Sequence, residues 1–361
     1  MNKILSILCS ALLLIACSSK KDLRVDKHSF SEPHNVLTTH LDLDVNVDFE
    51  KEVISGTAHY QIDNKTGSKK LILDANGLII DKVTSAGEDC VFTLSKKDSI
   101  LGQALIIDIE TEATEVTIHY QSAPNAKALQ WLNPKQTAGK EQPFLFTQSQ
   151  AILARTWLPC QDSPGVRFSY NATVKVPSDL MAVMSAENPT EKSSDGIYHF
   201  KMKQAIPAYL MALGVGNLEF QNLGEHTGIY AETEMIEKAA YEFAETEEML
   251  KIAEEMYGKY AWDRYDMLLL PPSFPFGGME NPRLTFVTPT ILAGDRSLTA
   301  LIAHELAHSW SGNLVTNKTW DDFWLNEGFT VYFERRIMER MEDKDYADML
   351  ALLGKQDLEH T

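Results

Sequence analysis

The chain has 361 residues, of which 44% are hydrophobic and 23% charged, as is ordinary for a soluble globular protein. That length suffices for two domains, each with a hydrophobic core of its own. The formal net charge is −18, and a surplus of carboxylates repels the phosphates of nucleic acids. The composition therefore argues against nucleic acid as a partner.

The first residues predict a targeting segment. Lys3 supplies a positive start, and the apolar run 4–16 has the length of a signal-peptide core, too short to span a bilayer comfortably. The run leads into Leu-Ile-Ala-Cys17-Ser-Ser, which resembles the cleavage box of bacterial lipoproteins. The resemblance implies a signal peptide over 1–16, a lipid on Cys17 and a polar tether over 17–34. We therefore expect a protein of the bacterial cell envelope, periplasmic or at the outer surface, that touches the membrane only through its anchor. The alternative is an ordinary cleaved signal with an incidental cysteine.

Strand patterns dominate residues 35–219. Residues 41–49 alternate apolar and acidic side chains with a period of two, which is typical of a sheet with one wet face. Residues 53–62 repeat the alternation, and turn signals such as Asn76-Gly77 separate further short strands. The prediction for this region is an antiparallel β domain.

From about residue 220 the apolar pattern takes a helical period. Residues 233–260 predict an acidic amphipathic helix, and residues 322–341 predict another. Between them, residues 267–270 predict a buried strand and residues 284–287 a short edge strand. The predicted fold class is α+β, with the antiparallel β domain followed by a mainly helical domain over 220–361.

The most informative stretch is 301–310, where the apolar residues favour a buried helix. On a helix, His304 and His308 stand one turn apart on the same face, so their imidazoles can bind one metal ion. Glu305 follows the first histidine and projects near that metal without binding it. There its carboxylate can take a proton from metal-bound water.

A third ligand makes this HExxH pattern far more specific. Glu327 follows His308 after eighteen intervening residues and lies near the start of the second predicted helix. Two histidines and one glutamate leave a fourth position for water, as in a catalytic zinc site. The sequence therefore predicts one Zn²⁺ per chain, held by His304, His308 and Glu327.

HExxH followed after eighteen residues by glutamate resembles the gluzincin aminopeptidases. The upstream stretch Gly277-Gly278-Met279-Glu280-Asn281 is similar to the GxMEN signature of that family. The residues around both motifs resemble its leukotriene A4 hydrolase/aminopeptidase branch. The resemblance implies a thermolysin-like catalytic domain over 220–361 and an exopeptidase that acts on short peptides with a free amino terminus.

The resemblance also implies roles for particular residues. The carboxylate of Glu280 would pair with the ammonium group of the peptide. Gln150 and Gln148 would reach from the β domain into the cleft to help bind that amine. Taken alone, these two glutamines would more often be polar strand residues. The other predicted substrate-binding residues are Pro275, Phe276, Gly277, Gly278 and Met279.

The expected mechanism follows from charge. Zinc lowers the pKa of bound water and polarises the scissile carbonyl, while Glu305 takes the proton and delivers it to the leaving nitrogen. The oxyanion needs a donor besides zinc. Glu334 lies two helical turns beyond Glu327 on the same helix face. It could orient a zinc-binding histidine, or it could form an ordinary surface ion pair.

Two departures from the family pattern carry expectations of their own. The family takes its oxyanion donor from a tyrosine some dozens of residues beyond the third zinc ligand, and the sequence reaches Thr361 before that point. We therefore expect a fragment that binds zinc but is catalytically impaired. Phe276 stands where the leukotriene A4 hydrolase type usually has tyrosine, which removes one possible hydrogen bond to substrate and weakens the case for epoxide hydrolysis.

Alternatives to the aminopeptidase stay open. A zinc endopeptidase would share HExxH, although Glu280 would block an internal peptide segment. An epoxide hydrolase could use the same scaffold. A peptide-binding lipoprotein without catalysis would follow if the gene product also ended at Thr361.

Overall fold

The computed structural model describes residues 26–360. The predicted signal peptide, Cys17 and most of the predicted tether lie outside the described residues. In chain order the strands are β1 (Val36–Asp48), β2 (Val53–Asn64), β3 (Lys70–Ala75), β4 (Ile79–Ser85), β5 (Glu88–Asp89), β6 (Phe92–Leu94), β7 (Gln103–Asp108), β8 (Glu115–Gln121), β9 (Leu129–Leu132), β10 (Phe144–Thr147), β11 (Phe168–Lys175), β12 (Met181–Met184), β13 (Ile197–Ile206), β14 (Leu213–Gly216), β15 (Leu218–Asn222), β16 (Thr227–Glu232), β17 (Tyr265–Leu269), β18 (Gly278–Met279) and β19 (Thr285–Val287). The helices are α1 (Ile236–Glu242), α2 (Thr246–Tyr257), α3 (Ala300–Ala307), α4 (Trp324–Met341) and α5 (Lys344–His360).

The first part of the chain forms a β domain of three sheets, in the strand orders β13-β11-β1-β2-β8-β4-β5, β12-β14-β10-β9 and β3-β7-β6. The period-two pattern explains how its long strands pack. In β1, Leu41, Leu43 and Val45 are buried in the core, while Asp44 between them is exposed. The prediction of an N-terminal β domain before a helical region is confirmed.

One strand pair departs from the antiparallel prediction. β1 lies between β2, with which it pairs antiparallel, and β11, with which it pairs parallel from His40↔Ser169 to Asn46↔Lys175. A parallel pair needs a long crossover connection, and the chain from β2 to β10 provides it. Local alternation of apolar and polar residues contains no signal for that return, so the sequence could not show it.

The second part of the chain contributes a fourth sheet, with the order β15-β16-β17-β19-β18. Within residues 26–360, the strands up to Gly216 make the first three sheets and those from Leu218 onwards make this one. The domain boundary that the sequence predicts, between residues 219 and 220, falls inside β15.

The edge strand of this sheet is not the predicted one. Residues 284–287 correspond to β19, which pairs with β17 on one side and β18 on the other. The strand at the edge is β18, which contains Gly278 and Met279 of the GxMEN-like motif. The prediction was wrong because two residues are too few to give a strand pattern. The open edge therefore belongs to the motif itself.

The predicted helix over 233–260 is divided into α1 and α2. At the break, the buried carboxylate of Glu242 accepts hydrogen bonds from the backbone N–H groups of Gly294 and Arg296, at 2.8 and 2.9 Å. This contact ties α1 to the turn that precedes α3. The division thus fixes the approach to the HExxH helix.

The two domains share one continuous hydrophobic core. Phe146 of β10 packs edge-on against Phe274, with ring centroids 5.7 Å apart, and Tyr209 packs against Trp320 at 5.0 Å. Each pair joins a residue of the β domain to one of the second domain. Within residues 26–360, no helix is both long enough and apolar enough to cross a membrane.

A buried ion cluster closes the N-terminal end of the described chain. Nε of Arg155 donates to Asp162 at 2.8 Å, and Nη1 of Arg155 lies 3.6 Å from Asp74. Nη2 of the same guanidinium donates to the carbonyl of His28 at 2.8 Å, and Asp74 accepts the N–H of Phe30 at 2.7 Å. The cluster therefore fastens the segment that enters the fold to the β domain.

Candidate metal centre and active site

Two imidazoles meet on one face of α3. Ile302, Ala303 and Leu306 are buried and hold the other side of the helix in the core. The Nε2 atoms of His304 and His308 lie 3.2 Å apart and face the same point. The prediction from the i, i+4 spacing, that the two imidazoles face one point, agrees with the structure.

A hydrogen bond at Nδ1 fixes the orientation of each imidazole. Nδ1 of His304 lies 3.0 Å from Oε2 of Glu334. Nδ1 of His308 lies 3.1 Å from the carbonyl oxygen of Ser311 and 3.0 Å from Oγ1 of Thr330. A ring that donates from Nδ1 presents the lone pair of Nε2, which is the tautomer that binds a metal. Two roles were predicted for Glu334, and its contact with His304 corresponds to the first, in which it orients a predicted metal ligand.

Glu327 in the first turn of α4 completes the donor set. Its Oε2 lies 3.5 Å from Nε2 of His304, and its Oε1 lies 3.8 Å from Nε2 of His308. Ligand atoms around a tetrahedral Zn²⁺, with bonds of about 2.0–2.1 Å, are roughly 3.3–3.4 Å apart. The three donors therefore fit one zinc ion with little rearrangement and leave one position open.

Glu305 lies beside this donor set, 5% exposed, and its Oε2 has no hydrogen-bond partner within the described residues. Burial raises the pKa of Glu305 to about 8, with the Glu280 and Glu327 charges adding to the rise and His304 opposing it. Gly278 of β18 faces it closely, since a Cβ there would lie 2.6 Å from Cγ of Glu305 and nearer still to its carboxyl atoms. The unpaired oxygen is available to a water molecule.

The charge on His304 depends on the carboxylates around it. Burial lowers the pKa of its imidazole, but the hydrogen bonds with Glu327 and Glu334 outweigh burial and raise the pKa to about 10. The same contact lowers the pKa of Glu327, although burial opposes that change. These contacts therefore favour the charged forms of both the His304 imidazole and the Glu327 carboxylate.

The donor set opens into a cavity of about 480 Å³. Glu280, 4% exposed, lies on its wall, and Nε2 of Gln150 donates to Oε1 of Glu280 at 3.4 Å. Donor atoms of Glu280, Glu305 and His308 lie within 4.8 Å of one another, so this acid is directly beside the metal centre. The cavity is also lined by Phe276, Gly277, Gly278, Leu301 and Glu334.

Three predicted substrate-binding residues do not line the cavity. Gln148 and Met279 are both buried, and Nε2 of Gln148 donates to Sδ of Met279 at 3.1 Å. Pro275 is exposed outside the cavity. The Gln148–Met279 contact instead supports β18 from the β-domain side. Phe276 is 52% exposed at the mouth of the cavity.

Other residues of the site went unrecognised in the sequence. Leu301 appeared only as a core residue, yet it forms part of the cavity wall. Thr330 contacts His308, and its position three residues after Glu327, on the same helix face, was a usable signal. Asn313 donates from Nδ2 to the carbonyl oxygen of Glu280 at 2.7 Å, and no pattern in the sequence indicated this contact.

A convergent His-His-Glu set, with an unpaired buried carboxylate beside it and an open position facing a cavity, is the donor arrangement of a gluzincin-type metal centre. Comparison with known proteins then gives the family. The chain belongs to peptidase family M1. Residues 37–210 match the Peptidase M1 N-terminal domain, and residues 241–360 match the Peptidase family M1 domain. Family membership and the donor set together confirm one Zn²⁺ as the cofactor.

Curated relatives place the chain near a particular branch of that family. It is 48% identical over 347 residues to a leukotriene A-4 hydrolase of Xenopus laevis, covering 93% of this chain and 57% of that protein. It is 40% identical to leucine aminopeptidase 2 of Yarrowia lipolytica, covering 95% of this chain and 53% of that protein. The chain therefore spans little more than half the length of these relatives.

Solved structures agree with this placement. Yeast LTA4 hydrolase in complex with bestatin superposes with a TM-score of 0.90 at 37% identity, over 94% of this chain and 54% of that one. An M1 zinc metallopeptidase of Deinococcus radiodurans superposes with a TM-score of 0.73 at 22% identity, over 91% of this chain and 76% of that one. The second likeness shows the shared fold alone.

Proposed function

We propose that the protein is a zinc-dependent aminopeptidase that removes the N-terminal residue of short peptides. The observation that carries the proposal is the position of Glu280, whose carboxylate lies within 4.8 Å of donor atoms of both Glu305 and His308. An ammonium group paired with Glu280 places the first peptide bond of a substrate beside the metal centre. An internal segment has no ammonium group to offer this acid.

Each residue of the site has a distinct part in this reaction. When bound, zinc lowers the pKa of water and polarises a carbonyl. Glu305 accepts the proton of the attacking water and passes it to the leaving nitrogen, a transfer for which its unpaired Oε2 is placed. Glu280 and Gln150 hold the amino terminus, which orients the substrate and lowers the entropy cost of the reaction.

The open edge of β18 supports a peptide as substrate. Gly278 presents backbone on the cavity wall, and an extended chain can pair with such an edge by main-chain hydrogen bonds. The name of the Yarrowia relative, leucine aminopeptidase 2, agrees with this substrate class.

Epoxide hydrolysis is the second candidate function. It is favoured by one observation, the 48% identity to a protein named leukotriene A-4 hydrolase. The same metal centre would serve an epoxide oxygen as it serves a carbonyl.

The deciding experiment compares one tripeptide with a free and with an acetylated amino terminus on the zinc-loaded full-length protein. We expect cleavage of the free form alone, and none by Glu305→Gln with zinc still bound. Calorimetric binding of both peptides to Glu305→Gln measures amine recognition without turnover. Cleavage of both forms would indicate an endopeptidase. No binding and no cleavage, with zinc present, would contradict the proposal and favour epoxide chemistry.

We further propose that Cys17 carries a lipid that holds the protein at the bacterial envelope. The support is the Leu-Ile-Ala-Cys17 box after an apolar run of signal-peptide length. In a bacterial host the wild-type chain should partition with membranes, and Cys17→Ser should release it. A wild-type chain in the soluble fraction, or a Cys17→Ser variant that stays with the membranes, would contradict this proposal.

A further inference from the structure

The backbone of Glu280 is held by a side chain from another part of the catalytic domain. Asn313, 1% exposed, donates from Nδ2 to the carbonyl oxygen of Glu280 at 2.7 Å. Asn313 belongs to the loop 311–316, which follows the C-terminal end of α3. Its own N–H donates to the carbonyl oxygen of His308 at 3.0 Å. One residue thus connects the proposed amine anchor with a metal ligand.

The loop 311–316 is held in turn from the β domain. Arg167, adjacent to the start of β11, donates from Nη2 to the carbonyl oxygen of Asn313 at 2.7 Å and from Nη1 to Oγ1 of Thr316 at 2.6 Å. Its Nε donates to the carbonyl oxygen of Ala205 at 3.0 Å, which orients the guanidinium within its own domain. All three contacts are to neutral oxygens. Within residues 26–360, Arg167 has no ion pair.

Contacts other than those with Arg167 also hold the 311–316 loop in place. Oγ1 of Thr316 donates back to the carbonyl oxygen of Gly312. Gly312 has a φ of 119°, and a Cβ there would meet Oδ1 of Asn326 and lie 3.0 Å from Nδ1 of His308. The loop is therefore pressed against the metal centre on one side and anchored by Arg167 on the other.

A partly buried guanidinium without an ion pair gives up hydration without recovering it from an opposite charge, and burial lowers the pKa of Arg167. In return, the planar guanidinium donates to three oxygens in fixed directions and so fixes their relative positions. Lysine, with one ammonium group on a flexible stem, cannot hold the same three oxygens.

We propose that Arg167 is a positioning residue that fixes Glu280 for recognition of the substrate amine, through the 311–316 loop and the side chain of Asn313. This inference rests on the proposed aminopeptidase function. The β domain thereby sets the position of the amine anchor from a residue that touches neither metal nor substrate.

The test compares Arg167→Met, which keeps the aliphatic stem, with Arg167→Lys and a control, Arg340→Met. Arg340 also joins two elements, since its Nη2 donates to Oε2 of Glu255 at 2.9 Å, but both side chains of this pair are exposed. Within residues 26–360, Arg340 has no hydrogen bond to the 311–316 loop. In the zinc-loaded Glu305→Gln background, Arg167→Met should raise the Kd of the free-amine tripeptide about tenfold. That is the size of effect seen when a residue that orients a binding side chain is removed. Arg167→Lys should recover little of that affinity, and the control should bind as the parent does.

Hydrogen exchange provides a readout that does not depend on activity. Arg167→Met should speed amide exchange in residues 278–282 and 311–316. Zinc content and the amide exchange of α2 should stay unchanged. Exchange in these segments equal to that of the control would overturn the role of Arg167, whatever the peptide results. Faster exchange in these segments, with a peptide affinity equal to that of the parent, would also overturn the role of Arg167. Failure of the parent chain itself to bind the free-amine peptide would refute the proposed function instead, so the two failures are distinguishable.

Discussion

Gly278→Ala tests whether the backbone of β18 sets the position of the proposed general base. A Cβ at this position would lie 2.6 Å from Cγ of Glu305, whereas ordinary contacts begin near 3.4 Å. The carboxylate side chain therefore has to move by about 1 Å, since the strand is held by β19 on its other side. A displacement of that size at a catalytic group costs roughly a hundredfold in rate, or about 2.7 kcal/mol of barrier.

The assay measures kcat for the free-amine tripeptide, with zinc content and the free energy of unfolding measured on the same samples. We expect kcat to fall by about two orders of magnitude, because the proton acceptor is misplaced. Zinc content should stay at one per chain, since Glu305 is not one of the three donors that converge on the metal position. A kcat within twofold of the parent at full zinc content would refute the reasoning.

The remaining predictions concern metal affinity and stability. Glu334→Ala removes the acceptor that orients His304 and should weaken zinc binding by roughly 10–100-fold in chelator competition, and an unchanged affinity would contradict this role. Arg155→Met leaves buried carboxylates without their cation and should cost about 3–5 kcal/mol in urea unfolding, where a loss under 1 kcal/mol would count against the cluster. Gly328→Ala in α4 meets open space and should stabilise the fold by about 0.5–1 kcal/mol with kcat unchanged, so any destabilisation would show an unrecognised contact.

The metal centre was predictable because its information is local. His304 and His308 stand one helical turn apart, and Glu327 lies in the first turn of a second helix. Packing of these two helices against one core brings the donors together. Glu334 followed from the same argument, since it lies on the face of α4 that carries Glu327.

What the sequence did not show depends on pairings between distant segments. The parallel pairing of β1 with β11 joins residues 129 positions apart in the case of His40 and Ser169. The identity of the edge strand depended on β18, which has only two residues. Arg167 and Asn313 are 146 positions apart and belong to different domains, so neither residue carries a local sign of the other.

The continuous core has a consequence for protein engineering. Taken alone, the β domain would expose Phe146 and Tyr209, whose aromatic partners belong to the second domain, and would leave Arg167 with only the carbonyl of Ala205. The β domain is thus not an interchangeable module that can be grafted between homologues at the connection near Asn217. A working chimera has to take the residues on both sides of the domain junction from the same protein.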